Sequence, residues 1–269
     1  MMIGIVLAAA IGMQDAPQTV DASKLFSKML ARYNAAQSVS GTITFTQTAD
    51  VRGVPRKLTI ETKIQAQKPN KLYLWQTPST SVGTSGVLPF FAISDGKQVC
   101  YTAPPQWTGN KKIYEPAGKD FDTLLASFSL LMIDRGFPEA LAAYSNNEIK
   151  DTVYRLRDLK DEGAATIEGK SARKIRSTYI ISDGVIKSPD VIAKIKTQNV
   201  PPSLTVCYFY ITNEGDLLAI NREEMVGGGP LRDQTGRPVQ QESFKVSSQW
   251  IVDLKIDQPV DASLFTIPR

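Results

Sequence analysis

Histidine is absent from the 269-residue chain. Without an imidazole there is no Ser-His-Asp or Cys-His machinery, and zinc and non-haem iron lose a favoured nitrogen ligand. Cysteine is scarce, with only Cys100 and Cys207. Charge of one sign is scarce too: 31 basic against 27 acidic residues leave a net +4. The densest basic stretch, Lys170 to Arg176, reads as the solvated face of a strand, not the patch that nucleic acid requires. No apolar run is long enough to cross a bilayer as a helix. Phosphate-cradling loops are missing as well: Gly227-Gly-Gly-Pro230 is not followed by the Gly-Lys-Ser/Thr of a P-loop. Gly83-Thr-Ser-Gly86 lacks the spacing of a nucleophile elbow, so it is no hydrolase signature. No metal or cofactor is expected.

What is present is alternation. Val39, Gly41, Ile43 and Phe45 oppose a run of Ser and Thr; Leu58, Ile60, Ile64 and Ala66 oppose Lys57, Glu61, Lys63, Gln65 and Gln67. Strand side chains alternate faces, so each run reads as an antiparallel strand with one wet side. Lys68-Pro69-Asn70 breaks the ladder into a turn, and Lys71 to Gln76 returns. Phe90 to Tyr101 folds back on itself at Asp95-Gly96. The stretch from Trp107 to Pro116 reads as loop. Strands resume at Val153–Lys160, Ala164–Glu168, Ser171–Ile181, Leu204–Ile211, Leu217–Val226 and Glu242–Ile256, about eleven in all.

Helical spacing occurs twice with force. Asp21 caps a helix whose apolar stripe is Leu25, Phe26, Met29, Leu30 and Tyr33. Phe121, Leu124, Leu125, Phe128, Leu131 and Met132 form a second, wider stripe, with Pro138 to Tyr144 as a further short helix. So apolar a helix is either a buried core element or the cover of something apolar. The class is α+β in a single domain with the sheet as its bulk.

The catalytic motifs that remain are weak. Ser171-Ala-Arg-Lys174 spells an acylating-serine motif, but on a strand those two side chains point to opposite faces. Asp161-Glu162 and Glu223-Glu224 are acidic pairs with no visible partner. The chain is not expected to be an enzyme. Ile3 to Ile11, followed by Ala10-Ile11-Gly12, reads as a signal-peptide core and cleavage site. Residues 1–12 are therefore expected to be a leader and residues 13–269 the domain, exported to the periplasm, with no cysteine nearby for lipid attachment. In such a compartment Cys100 and Cys207 are disulfide candidates; two separate buried thiols are the alternative.

Strand, Lys68-Pro69-Asn70, Leu72-Tyr-Leu-Trp75 and Ile93-Ser-Asp-Gly-Lys97, with Ser40-Gly-Thr-Ile-Thr-Phe-Thr-Gln47 before and Val260-Asp-Ala-Ser-Leu-Phe-Thr-Ile-Pro268 after, resemble the Lol-type periplasmic lipoprotein carriers and the wider lipoprotein-sorting superfamily. The resemblance implies an incomplete, strongly curved antiparallel β-barrel whose mouth is covered by helices. It implies a hydrophobic cavity lined by Phe45, Ile60, Leu72, Leu74, Trp75, Phe91, Phe128 and Met132, under a lid carrying Phe121, Leu124, Leu125, Phe128 and Leu131. It also makes Lys68 the lid-contact candidate, where carriers usually have arginine; lysine is a point donor and cannot fork. The implied function is a non-enzymatic carrier of lipids or lipoprotein acyl chains. The implied partner is a lipid or acylated protein, or, for a regulatory relative, an inner- or outer-membrane protein.

Overall fold

A computed structural model describes residues 20–51, 53–80, 89–102, 111–125, 144, 156–180, 204–226, 230–232, 238–240 and 244–268. The expected signal peptide lies outside them, as do Phe128, Leu131 and Met132.

Helix α1 spans Ala22–Ala35, and Asp21 caps it as the sequence predicts: its Oδ1 accepts from the N–H of Ser23 and of Lys24, both at 3.1 Å. Leu25, Phe26, Met29 and Tyr33 are its buried stripe. Strands β1 (Ser38–Val51), β2 (Val54–Gln67), β3 (Lys71–Thr80), β4 (Phe90–Asp95), β5 (Gln98–Thr102) and β6 (Lys112–Pro116) follow as a meander. Then come β7 (Leu156–Ile167), β8 (Lys170–Ile180), β9 (Leu204–Ile211), β10 (Leu217–Val226), the short hairpin β11 (Pro230–Arg232) and β12 (Pro238–Gln240), and β13 (Phe244–Ile256). A 3-10 turn, Ala262–Phe265, ends the chain against β3 and β4, where Phe265 is buried.

The main sheet has 11 strands, all antiparallel, in the order β6-β5-β4-β3-β2-β1-β13-β10-β9-β8-β7. Its edge strands β6 and β7 do not pair with each other, so the sheet is open. The count matches the sequence reading, but the membership differs. Leu156–Ile167 form one strand with two register shifts in place of two strands, and β6, read as loop, is the strand that restores the number. A five-residue edge strand ending at Pro116 leaves too short an alternation to recognise.

Between β6 and β7 the chain passes from one edge of the sheet to the other, a width of about 48 Å if flat. Of this connection the structure describes residues 117–125 and Tyr144. Phe121, Leu124, Leu125 and Tyr144, all on it, are buried in the same core as the sheet.

The disulfide expectation is overturned. Cys100 on β5 and Cys207 on β9 are both buried and not joined to each other, with six strands between theirs. Burial pushes the Cys100 thiol up, in keeping with a small hydrophobe. The acidic pairs also need correcting, since three of their members have partners. Arg173 engages both carboxylate oxygens of Asp161, Lys174 holds Glu162 at 2.8 Å, and Lys245 holds Glu223 at 3.0 Å. Ser171 and Lys174 sit on β8 as the strand reading requires.

Asp161 also accepts from the N–H of Val20 at 3.0 Å and of Gly163 at 3.0 Å, tying the entry to α1 onto the β7–β8 hairpin. Burial pushes its carboxyl up, but Arg173 and the two N–H groups outweigh that and hold it below the usual range. A depressed carboxylate stabilises the fold above its unfolded pKa and loses that contribution as pH falls through the folded value. Acid titration of the wild type should therefore show a destabilising step in the acid range that Asp161→Asn lacks, read as melting temperature against pH.

Candidate functional site

The sheet buries one face. Phe45 pairs with Ile60 on one side and Trp250 on the other; Trp250 pairs with Ile220, Ile220 with Phe209, and Phe209 with Ile175. These six residues make one register row across six strands, and every one is buried and apolar. Phe45 and Trp250 rings lie 5.0 Å apart, and Phe26 of α1 meets Phe209 edge-on at 5.0 Å. Leu74 and Leu72 continue the same face on β3, in register with Ile64 and Ala66. Of the expected lining residues, Phe45, Ile60, Leu72 and Leu74 thus share the buried face.

Trp75 and Phe91 do not. Trp75 neighbours Leu74 on one strand and so points the other way; it is 39% exposed and stacks on Phe91 at 5.6 Å on the outer side. Their assignment to the lining is corrected: Phe90, one residue earlier, holds the buried place. Alternation alone would have separated Leu74 from Trp75.

The Lys-Pro-Asn turn and the Ile-Ser-Asp-Gly turn, read separately in the sequence, interlock. Asn70 Nδ2 donates to the carbonyls of Gly96 at 2.9 Å and Gly118 at 2.6 Å. Ser94 Oγ donates to the Asn70 carbonyl at 2.7 Å, and Asp95 Oδ1 accepts from the N–H of Lys97 and Gln98 at 2.7 and 2.8 Å. Gly96 and Gly118 both have positive φ, at 94° and 74°. Gly118 leads into residues 121–125, a helical turn capped by Asp120, which accepts from the Thr123 N–H at 2.8 Å. Asn70→Ala should cost about 2 kcal/mol, because two half-buried carbonyls lose their donor, and Asn70→Asp should be no rescue. Denaturant unfolding of the two variants measures this.

Lys68 stands where Tyr144 of the β6–β7 connection meets the sheet. Its N–H donates to the Gln37 carbonyl at 2.9 Å, and its ammonium donates to the Asn34 carbonyl near the end of α1. The same ammonium sits 4.7 Å from the centroid of the Tyr144 ring. Tyr144 donates its hydroxyl to the Gln37 carbonyl at 2.8 Å and meets Phe121 edge-on at 4.8 Å. Burial pushes the Lys68 ammonium below the usual lysine range, with Asp122 and Asp257 opposing. Burial likewise pushes the Tyr144 phenol well above its ordinary value. A lysine thus touches a helix end and an aromatic ring at once without a forked donor. Tyr144 was not among the expected site residues; its only signal was its place at the end of the short predicted helix.

Among the described residues no His, Cys, Asp or Glu group is placed to hold a metal ion, and no helix is long and apolar enough to cross a membrane. What the site can do chemically is exclude water from apolar surface, with Tyr144 tied to the sheet through Gln37 and Lys68.

No protein-family model matches the chain, and no curated protein matches it significantly. Solved structures do. LprF from Mycobacterium bovis is 11% identical, over 92% of this chain and 96% of that one, with a TM-score of 0.42. The Mycobacterium tuberculosis lipoprotein LppX is 11% identical, over 90% of this chain and 97% of that one, at 0.34. A LolA superfamily protein from Nitrosomonas europaea is 9% identical, over 92% of this chain and 98% of that one, at 0.29. The group that the sequence resembles is thus met among these structures. With TM-scores below 0.5, the functional reading rests on this chain's own residues.

Proposed function

We propose that the chain is an exported, non-enzymatic binding protein for lipids or lipoprotein acyl chains. The carrying observation is the uninterrupted apolar row from Ile60 to Ile175, which shares one buried core with α1, residues 121–125 and Tyr144. Burying apolar surface stabilises by roughly 25 cal/mol per Å², so an acyl chain laid along such a row binds with few polar contacts. In this reading residues 121–125 and Tyr144 belong to a lid, and Lys68 and Gln37 are the points at which it fastens. The Lol-type resemblance supports the same reading.

Native mass spectrometry of the protein purified from its host, followed by organic extraction, tests it. Co-purifying amphiphile at a stoichiometric ratio is the expected result. A bare protein that neither carries nor takes up any fatty acid contradicts it.

A further inference from the structure

The outer face of β2 to β6 carries two neighbouring rows that the fold treats differently. In the first, Gln65 pairs with Tyr73, Tyr73 with Ile93, Ile93 with Cys100 and Cys100 with Tyr114. Residues 261–268 strap this row at both ends. Gln65 Oε1 accepts from the Asp261 N–H at 2.8 Å, and Tyr114 donates its hydroxyl to the Pro268 carbonyl at 2.9 Å. Phe265 of the strap is buried, with its ring centroid 5.9 Å from the Lys71 ammonium, and Ile93 and Cys100 of the row are buried too. Two residues along each strand, about 7 Å away, lies the second row. Lys63 pairs with Trp75 and Trp75 with Phe91; the Phe91 N–H donates to Thr102 Oγ1 at 3.1 Å, and Thr102 pairs with Lys112. This row is open: Lys63, Trp75 and Lys112 are exposed, and Phe91 is half-buried. An indole and a phenyl ring stacked between two exposed lysines contribute little to a core.

We infer that the open row is a docking site for an anionic membrane surface, with Trp75 and Phe91 entering the headgroup layer between Lys63 and Lys112. Tryptophan suits that layer because one side chain offers an apolar body and a polar N–H. Charge is placed to match. Residues 53–125, which hold β2 to β6, carry nine basic residues against five acidic ones, an excess as large as the net +4 of the whole chain. The attraction is a field across the surface and asks no lysine to leave a neighbour. Glu61 shares the face, 3.9 Å from Lys63. Glu115 is turned to the other side, where it accepts from the Tyr101 hydroxyl at 3.1 Å. A protein partner fits less well, because lysine is depleted in protein–protein interfaces but accompanies aromatic rings on membrane-surface elements. The inference stands apart from the carrier reading, since the row lies on the face opposite Ile60, Ile64 and Leu74.

Co-sedimentation of the whole chain with two kinds of vesicle tests the assignment: pure phosphatidylcholine, and phosphatidylcholine with about one third phosphatidylglycerol. The wild type should bind the anionic vesicles about tenfold more tightly, whether or not it carries an amphiphile, and about 0.5 M salt should erase the difference. Trp75→Thr should weaken anionic binding about tenfold, from the apolar area it withdraws. Lys63→Glu should weaken it about thirtyfold, from two units of charge at a factor of about five each. Met225→Thr, at an exposed apolar side chain elsewhere, should change nothing. A wild type that ignores anionic vesicles overturns the docking site. So does a Trp75→Thr protein that binds them undiminished, or a Met225→Thr protein that loses as much. Dimerisation that Trp75→Thr abolishes, with no vesicle binding, makes the row an interface between copies and overturns the membrane as its occupant. Where Trp75→Thr melts early, the Trp107→Phe, Trp250→Phe variant decides, since Trp75 is its remaining tryptophan. Brominated lipid in the anionic vesicles should quench Trp75, and an unquenched Trp75 overturns the site.

Discussion

Gly41→Ala should lower the melting temperature by about 10 °C, the largest stability effect expected of any single methyl group in this chain. Gly41 lies in the middle of β1, paired with Ile64 on β2 and Leu254 on β13. Its φ is 148°, and a Cβ there would stand 2.0 Å from the Asp253 carbonyl oxygen. The obstacle is backbone, so no side-chain rotation relieves it; β1 and β13 must part. Such strain and overpacking cost about 3–5 kcal/mol together. For a domain of this size each kcal/mol moves the midpoint by about 2–4 °C. Gly53, at the β1–β2 turn, is the control: it also has positive φ, but a Cβ there meets nothing within 4 Å. Thermal melts followed by circular dichroism should rank Gly41→Ala well below Gly53→Ala. Equal losses would mean that conformation alone, not the close approach of two strands, decides the cost.

Tyr144→Ala should raise hydrogen exchange in residues 121–125 by about a hundredfold or more, with little change in β1, β2 and β13. The ring fills a place between Phe121 and Lys68, and its hydroxyl bonds the Gln37 carbonyl. Truncating a buried aromatic costs about 3–5 kcal/mol. If the cover opens as a unit, that loss appears in its opening equilibrium and not in the global stability. Tyr144→Phe removes only the hydroxyl and should speed the same amides about fivefold, from one hydrogen bond of about 1 kcal/mol. Faster uptake of a fatty acid by Tyr144→Ala should accompany the exchange. A uniform rise across all strands would instead make Tyr144 ordinary core filling and the segment no lid.

Much of this was legible before any coordinates. The cap at Asp21, the stripe of α1, the turns at Lys68-Pro69-Asn70 and Asp95-Gly96, and the buried sides of β1 and β2 all follow from local periodicity, which a sequence displays directly. Trp75 was misplaced because size and aromaticity were allowed to outweigh alternation; its stacking on Phe91 shows that large rings also furnish an outer face. β6 was missed because a short edge strand carries little pattern. The partners of Asp161 and the meeting of Lys68 with Tyr144 were invisible for a different reason: they are contacts between segments far apart in sequence, which local periodicity does not display.

Tryptophan quenching by a brominated fatty acid tests most directly whether the sheet's buried face receives a guest. A variant with Trp75→Phe and Trp107→Phe keeps only Trp250, on the apolar row; one with Trp107→Phe and Trp250→Phe keeps only Trp75, on the outer side. Saturable quenching of Trp250 at stoichiometric ligand, with Trp75 left bright, is the predicted result. Quenching of Trp75 alone, or of neither, would contradict a ligand held between the sheet and its cover.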